Sequence, residues 1–198
     1  MSLLVINKLD KYYEVLFFIV YMAIFLLTIS CKKEKNIINE WLNREIIFPE
    51  KTTFIKFLND TTGFYVPQSK LKVLVYADST GCIGCKLQLS EWKEFIQYVD
   101  SITGRKIPFL FFFYLKDTVE VKFLLEVEQF DYPVYIDSYD QLNQMNRFPT
   151  DILFQTFLLD ENNRVLLIGN PIYDAVTKEK YLEKISNNEK EEDRTDSY

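Results

Sequence analysis

Histidine is absent from this 198-residue chain, and cysteine occurs three times. Without imidazole there is no Cys–His dyad, no Ser–His–Asp triad, no haem histidine and no imidazole copper site. Two or three thiolates alone do not close a four-ligand zinc site, so no metal and no cofactor is expected. A basic cluster is missing too. The formal net charge is −6, which argues against nucleic acid as a partner. No internal repeat is visible. The uncharged run 15–29 is fifteen residues, short for a membrane span.

What is present begins with that run. Lys8 and Lys11 precede it, diluted by Asp10 and Glu14. A positive start followed by a short apolar core reads as a signal peptide. Leu27-Thr28-Ile29-Ser30-Cys31 then resembles a bacterial lipobox, in which a small residue precedes the cysteine that receives diacylglycerol. Ser30 fits the small position, and Thr28 departs from the leucine-like residue usual three before the cysteine. The expected domain plan is a lipoprotein signal peptide over 1–30 and lipidation at Cys31. The alternative is an uncleaved signal anchor with Cys31 unmodified. Both place the globular part outside the cytoplasm, where disulfides persist. The expected location is the cell envelope, lipid-anchored to a membrane and facing the periplasm. Removing 1–30 leaves 168 residues and the full charge of −6, enough for one domain with a real core. The tail 186–198 carries five acidic and two basic residues and almost nothing apolar, so 187–198 reads as a disordered acidic tail.

Reactive chemistry can be argued at one place, Cys82-Ile83-Gly84-Cys85. The run 71–77 (LKVLVYA) before it reads as a strand. After it, Leu89, Trp92, Phe95, Ile96 and Val99 recur at helical spacing. Cys82 is thereby expected at a helix N-terminus, where the helix dipole and free N–H groups favour a thiolate. A C-x-x-C at a strand-to-helix junction reads as a thioredoxin-like redox motif. The plainer alternative is a structural disulfide, or two inert thiols.

The rest of the chain supplies the frame. The spacing in 37–46 predicts a short helix stopped by Phe48-Pro49, with 32–36 as a tether. Residues 53–58 alternate as an edge strand, and Thr61-Thr62-Gly63 is turn-like. Gly104 ends the C-x-x-C helix. The continuous apolar run 108–115 suits a central strand buried on both faces. Residues 117–130 read as a helix with Asp117 as cap, 133–136 as a strand, and 138–146 as a helix capped by Ser138 or Asp137. A hairpin follows, 155–160 and 164–168 around Glu161-Asn162-Asn163. Residues 177–185 form a last helix. This order predicts an α/β fold, a mixed sheet with helices on both faces, over 53–186, with 31–52 as tether and short helix.

In that order the chain resembles the thioredoxin superfamily. It looks closest to membrane-tethered, exported thiol–disulfide oxidoreductases of the kind that serve cytochrome maturation, and to related lipoproteins of Gram-negative bacteria. The matching residues are Ser79-Thr80-Gly81-Cys82-Ile83-Gly84-Cys85-Lys86, Tyr132-Pro133-Val134-Tyr135-Ile136-Asp137, and Thr156-Phe157-Leu158-Leu159-Asp160 before Asn163-Arg164-Val165. The resemblance implies a thioredoxin-like fold and dithiol–disulfide exchange with protein thiols and disulfides and with a redox partner. Cys82 would be the nucleophile and Cys85 the resolving thiol. Lys86 would add local positive charge. Clients would dock near 149–155, with Pro149 and Phe154 as substrate-binding positions.

The chain departs from the pattern in three places. Gly81 replaces the aromatic residue that often precedes the first cysteine. The buried acid that some members carry in the preceding strand falls at Tyr76. The cis-proline that faces the disulfide aligns with Phe154, while Pro149-Thr150 matches the Pro-Thr pair five residues early. Either four extra residues bulge out after Pro149 or the proline is lost. Loss favours a non-catalytic binding module with a structural Cys82–Cys85 disulfide. A peroxidase would want a proline upstream of Ser79-x-x-Cys82, and none is there.

Overall fold

A computed structural model describes residues 3–50, 53–56, 60–63, 66–79, 86–104, 106–114 and 118–195. Side chains are described at 14, 16–23, 25, 32–50, 66–79, 86–104, 106–114 and 118–188. Cys82 and Cys85 lie outside the described residues, as do Gly81, Asp117 and the side chain of Cys31.

The chain divides into Met1–Glu40 and Trp41–Tyr198. The first unit belongs to helix α1 (Leu3–Trp41). The tether expected over 32–36 is helical instead. Lys and Glu are good helix formers, and no proline or glycine interrupts the chain before Pro49. All the side chains from Leu16 to Met22 are exposed. Among the described residues no helix is long and apolar enough to cross a membrane.

The second unit is a mixed seven-stranded sheet in the order β2-β1-β5-β4-β3-β6-β7. The strands are β1 (Thr53–Lys56), β2 (Asp60–Gly63), β3 (Leu71–Ala77), β4 (Phe109–Phe113), β5 (Val134–Ile136), β6 (Thr156–Asp160) and β7 (Val165–Ile168). Strands β3, β4 and β5 are parallel, with Val75 opposite Phe111 and Phe111 opposite Val134. Strand β6 runs antiparallel to β3, with Val73 opposite Leu158. Every residue of β3 and β4 is buried, which explains their unbroken apolar runs. The turn expected at 61–63 is strand β2, antiparallel to β1. β-branched Thr61 and Thr62 suit that ladder.

Helices α2 (Leu89–Thr103), α3 (Thr118–Val127), α4 (Gln141–Asn146) and α5 (Ala175–Thr195) complete the unit. One core holds Val73, Val75, Phe109, Phe111 and Phe113 from the sheet under Trp92 and Phe95 of α2, Val121 of α3 and Tyr181 of α5. The apolar stripe of α2 faces the sheet as its spacing predicts, and Leu89, Trp92, Phe95, Ile96 and Val99 are all buried. Gly104 ends α2 in the left-handed conformation, φ 63°, which glycine adopts at little cost. Gln129 closes α3 in the same way at φ 49°. Its N–H meets the Glu126 carbonyl at 3.0 Å and that of Phe130 meets Leu125 at 2.9 Å, a Schellman pairing. The helix expected from 138 begins at Gln141 with Asp140, not Ser138 or Asp137, at its N-cap, while Asp137 accepts from Leu142 N at 2.9 Å.

The opposite face is covered by α4 and by 41–48. Trp41 lies 5.6 Å from Phe148 and 5.2 Å from Phe157, and Phe48 lies 5.7 Å from Phe112. The helix expected over 37–46 therefore stops at Trp41, and 43–46 runs along β7. Asn43 N donates to Val165 O at 2.8 Å, Val165 N to Arg44 O at 2.9 Å, and Ile46 N to Asn163 O at 2.9 Å. An edge strand offers unpaired N–H and C=O groups, and pairing them outweighs the local helical tendency. Asn146 locks this segment, with Nδ2 to Ile47 O at 2.8 Å and Ile47 N to Oδ1 at 2.9 Å. Helix α5 runs past 186 to Thr195, where a disordered tail was expected. Its Glu, Lys and Arg residues keep the helix going without apolar surface, and Ile185 is its last core residue.

Candidate active site

The site forms where β3 ends. Its two carboxy-terminal side chains point to opposite faces, Ala77 into the α2 core and Tyr76 against Phe148 at 4.9 Å. Asp78 follows. The segment with Cys82 and Cys85 then runs to Lys86 and Leu87, which are helical. Gln88 interrupts with φ 39°, and α2 begins at Leu89. The C-x-x-C is thus bracketed by a central strand and the helix packed on it.

Asp78 and Lys86 close that bracket. The Lys86 ammonium pairs with Asp78 Oδ1, and the two side chains are only 14% and 18% exposed. The other carboxylate oxygen, Oδ2, accepts from Gln155 Nε2 at 3.2 Å. The same Nε2 donates to Pro149 O at 2.9 Å. Gln155 is 2% exposed, and its Oε1 has no hydrogen-bond partner among the described residues. Its backbone carbonyl accepts from Tyr76 N at 2.9 Å. One buried amide therefore ties the end of β3 to the 149–155 segment.

Both readings of Pro149 concern that segment. Residues after it fold into a 3₁₀ helix, Ile152–Phe154, capped by Asp151, whose Oδ1 accepts from Leu153 N at 3.0 Å. These residues form a compact turn leading into β6. No cis peptide bond occurs among the described residues. Pro149 is half-buried and close to Asp78 through Gln155, while Phe154 is 8% exposed at the end of the 3₁₀ turn. The two expected docking positions thus share one segment, and Phe154 occupies the place aligned with proline.

Tyr76 holds the position where an acid was sought. Its Oη donates to Asp140 Oδ1 at 2.7 Å, and Asn143 Nδ2 donates to Asp140 Oδ2 at 2.9 Å. Burial, followed by the Asp140 hydrogen bond and the charges of Asp140, Asp78 and Asp137, holds the Tyr76 hydroxyl far above the usual tyrosine range. It stays protonated and serves as a donor.

Asp78, Gln155 and Asp140 were not legible as site residues. Asp78 and Gln155 are 77 positions apart, and only the antiparallel pairing of β3 with β6 brings them together. Among the described residues no group of three or more acidic, cysteine or histidine side chains is placed to hold a metal. A cavity of about 580 Å³, lined by Lys93, Asp100, Phe109 and Tyr132, lies at the opposite ends of the strands, away from this chemistry.

No protein-family model matches the chain, and no curated protein sequence matches it. Solved structures do. A candidate protein disulfide isomerase from Bacteroides thetaiotaomicron aligns at 12% identity with a TM-score of 0.51, covering 78% of this chain and 96% of the other. A candidate electron transfer protein from Aquifex aeolicus aligns at 15% identity over 73% of this chain and 97% of that one, with a TM-score of 0.49. StoA from Bacillus subtilis aligns at 16% identity over 65% of this chain and 96% of that one, with a TM-score of 0.45. The chain has a thioredoxin-like fold, as the sequence resemblance predicts.

Proposed function

We propose that this protein is an exported, lipid-anchored thiol–disulfide oxidoreductase acting through Cys82 and Cys85. One observation carries the reading: the C-x-x-C falls between the end of central strand β3 and the helix packed on it. Written in the reducing direction, the Cys82 thiolate attacks a client disulfide, forms a mixed disulfide and expels one client thiolate. Cys85 gives up its proton and attacks Cys82 Sγ. The Cys82–Cys85 disulfide closes, the second client thiolate leaves, and two electrons pass to the client. Oxidation of a client dithiol is the reverse.

Cys85→Ser should accumulate mixed disulfides between Cys82 and exported proteins, because no resolving thiol remains. Cys82→Ser should trap few. Non-reducing electrophoresis from an exporting cell reads both. Phe154 in the aligned proline position favours a second reading, a binding module with a structural disulfide. That reading expects no covalent partner in either variant and a pair that stays oxidised.

Anchoring rests on Cys31. Lipid on this cysteine would hold the protein to a membrane of the cell envelope on the periplasmic side. Stable attachment needs more than one acyl chain, as a bacterial lipoprotein carries. Cys31→Ala should release the protein from membranes or block its maturation. Lipid labelling that persists in this variant would sink the assignment.

A further inference from the structure

We infer that Trp41 is a positioning residue for the 148–155 segment, so that the chain just after helix α1 is part of the client-docking site. The inference rests on the oxidoreductase reading for its functional meaning, with clients docking near Pro149 and Phe154. Its physical content stands on the rings and hydrogen bonds around Phe148.

Trp41 and Phe148 are both buried, and their ring centroids lie 5.6 Å apart. Both pack on Phe157 of β6, at 5.2 and 5.1 Å. Tyr76 of β3 adds a fourth ring, 4.9 Å from Phe148. Such tilted aromatic pairs contribute beyond the area they bury. Phe148 is the residue before Pro149, so the ring that Trp41 supports is the root of the docking segment. The backbone is fixed there as well. Phe148 N donates to Asn143 Oδ1 at 2.9 Å, and Asn143 Nδ2 donates to Asp140 Oδ2 at 2.9 Å. Beyond the root, Pro149 O accepts from Gln155 Nε2, and Leu153 O accepts from Asn170 N at 2.9 Å.

Trp41 is itself held by the strap that it begins. The Arg44 guanidinium carbon lies 4.2 Å from the Trp41 ring centroid, and Arg44 Nη2 donates to Asn146 O at 2.5 Å. A cation over an indole face is attracted by the ring. Asn146 in turn binds both the N–H and the carbonyl of Ile47. The strap, α4 and Phe148 are thus fastened to one another. A plain tether buries no indole; this one does, at the root of the segment expected to receive clients. The core under α2 lies on the other face of the sheet. Emptying the Trp41 site therefore frees Phe148 to shift, because close packing is what fixes a buried ring, and leaves that core filled.

The test uses the full chain carrying Cys31→Ser, reduced beforehand and followed through one turnover with a disulfide in excess. One probe is small, hydroxyethyl disulfide, and the other is a protein, insulin. Each takes up two electrons as the Cys82–Cys85 disulfide closes. Trp41→Ala should slow the reaction with insulin about tenfold or more, because a misplacement of about 1 Å can cost about a hundredfold. Hydroxyethyl disulfide needs no docking segment and should react within about twofold of the parent rate. Trp41→Phe keeps a ring and should restore most of the insulin rate. Ile185→Ala opens the core under α2 instead and should leave the ratio of the two rates unchanged. If Trp41→Ala fails to fold, Phe148→Leu should show the same split. Equal slowing with both disulfides in the variant that folds, or the same split in Ile185→Ala, overturns the inference. A parent that reacts with neither disulfide removes the oxidoreductase reading, and amide hydrogen exchange then reads the physical claim by itself. Exchange over 148–155 that quickens in Trp41→Ala or Phe148→Leu, with Phe109–Phe113 unchanged, keeps the positioning role; unchanged exchange over 148–155 overturns it.

Discussion

Trp92→Ala should lower unfolding stability by about 3–5 kcal/mol, the usual range for truncating a fully buried tryptophan. Trp92 is 1% exposed and stands edge-on to Phe95, Phe109 and Phe111, with ring centroids 5.9, 6.2 and 5.7 Å away. Edge-to-face pairs add to simple area burial, and a close-packed interior pays for the cavity a lost ring leaves. Total stabilities of domains this size run about 5–15 kcal/mol, so the loss threatens folding itself. Trp92→Phe should cost less than half as much and keeps the test readable if the alanine variant fails to fold. Urea unfolding of both variants measures it. A loss under about 1 kcal/mol for alanine would mean that the α2 face is not the principal core.

Alkaline pH should unfold this protein steeply. Tyr181 is fully buried, and burial alone raises its hydroxyl well above the ordinary value. Tyr76 is 3% exposed and raised by burial, the Asp140 hydrogen bond and nearby carboxylates. In the unfolded chain both ionise near pH 10. Below that pH neither form loses protons and the stability is fully present. Above it the unfolded chain releases protons that the native protein keeps. Each group then removes about 1.4 kcal/mol per pH unit, and the two together about 2.7. Tyr132 and Tyr135 are raised by burial too, and add in the same direction.

Lys72 works the other way over a lower window. Burial lowers its pKa, although Nζ donates to Asn163 Oδ1 at 2.7 Å and Glu161 O at 3.1 Å. The native protein releases that proton first, so stability gains with pH until the unfolded lysine titrates near pH 10.4. The expected profile is level or slightly rising to about pH 10 and steep beyond. Tyr76→Phe should remove its own share of the alkaline slope, about 1.4 kcal/mol per pH unit, as well as about 1 kcal/mol of neutral-pH stability with its hydrogen bond. Unfolding free energies at stepped alkaline pH test this. An unchanged slope in Tyr76→Phe would show that Tyr76 ionises freely in the folded state.

Sequence alone determined the elements whose signals are local. Strands β3 and β4 are buried on both sides, so their runs are apolar throughout and could be recognised without a partner. The stripe from Leu89 to Val99 has the period of one helical face, and Gly104 supplies the left-handed residue that ends it. The C-x-x-C lay between the two and was legible for the same reason. Tertiary structure decided what depends on distant partners. The segment 43–46 has helical spacing, yet the open edge of β7 and the side chain of Asn146 hold it extended. The residues after Pro149 gave no local signal for the 3₁₀ turn at Ile152–Phe154 that leads into β6. Asp78 became a site residue only when folding set Lys86 and Gln155 against it. A charge beside a cysteine can be read from sequence; which partner it meets depends on which chain ends the sheet brings together.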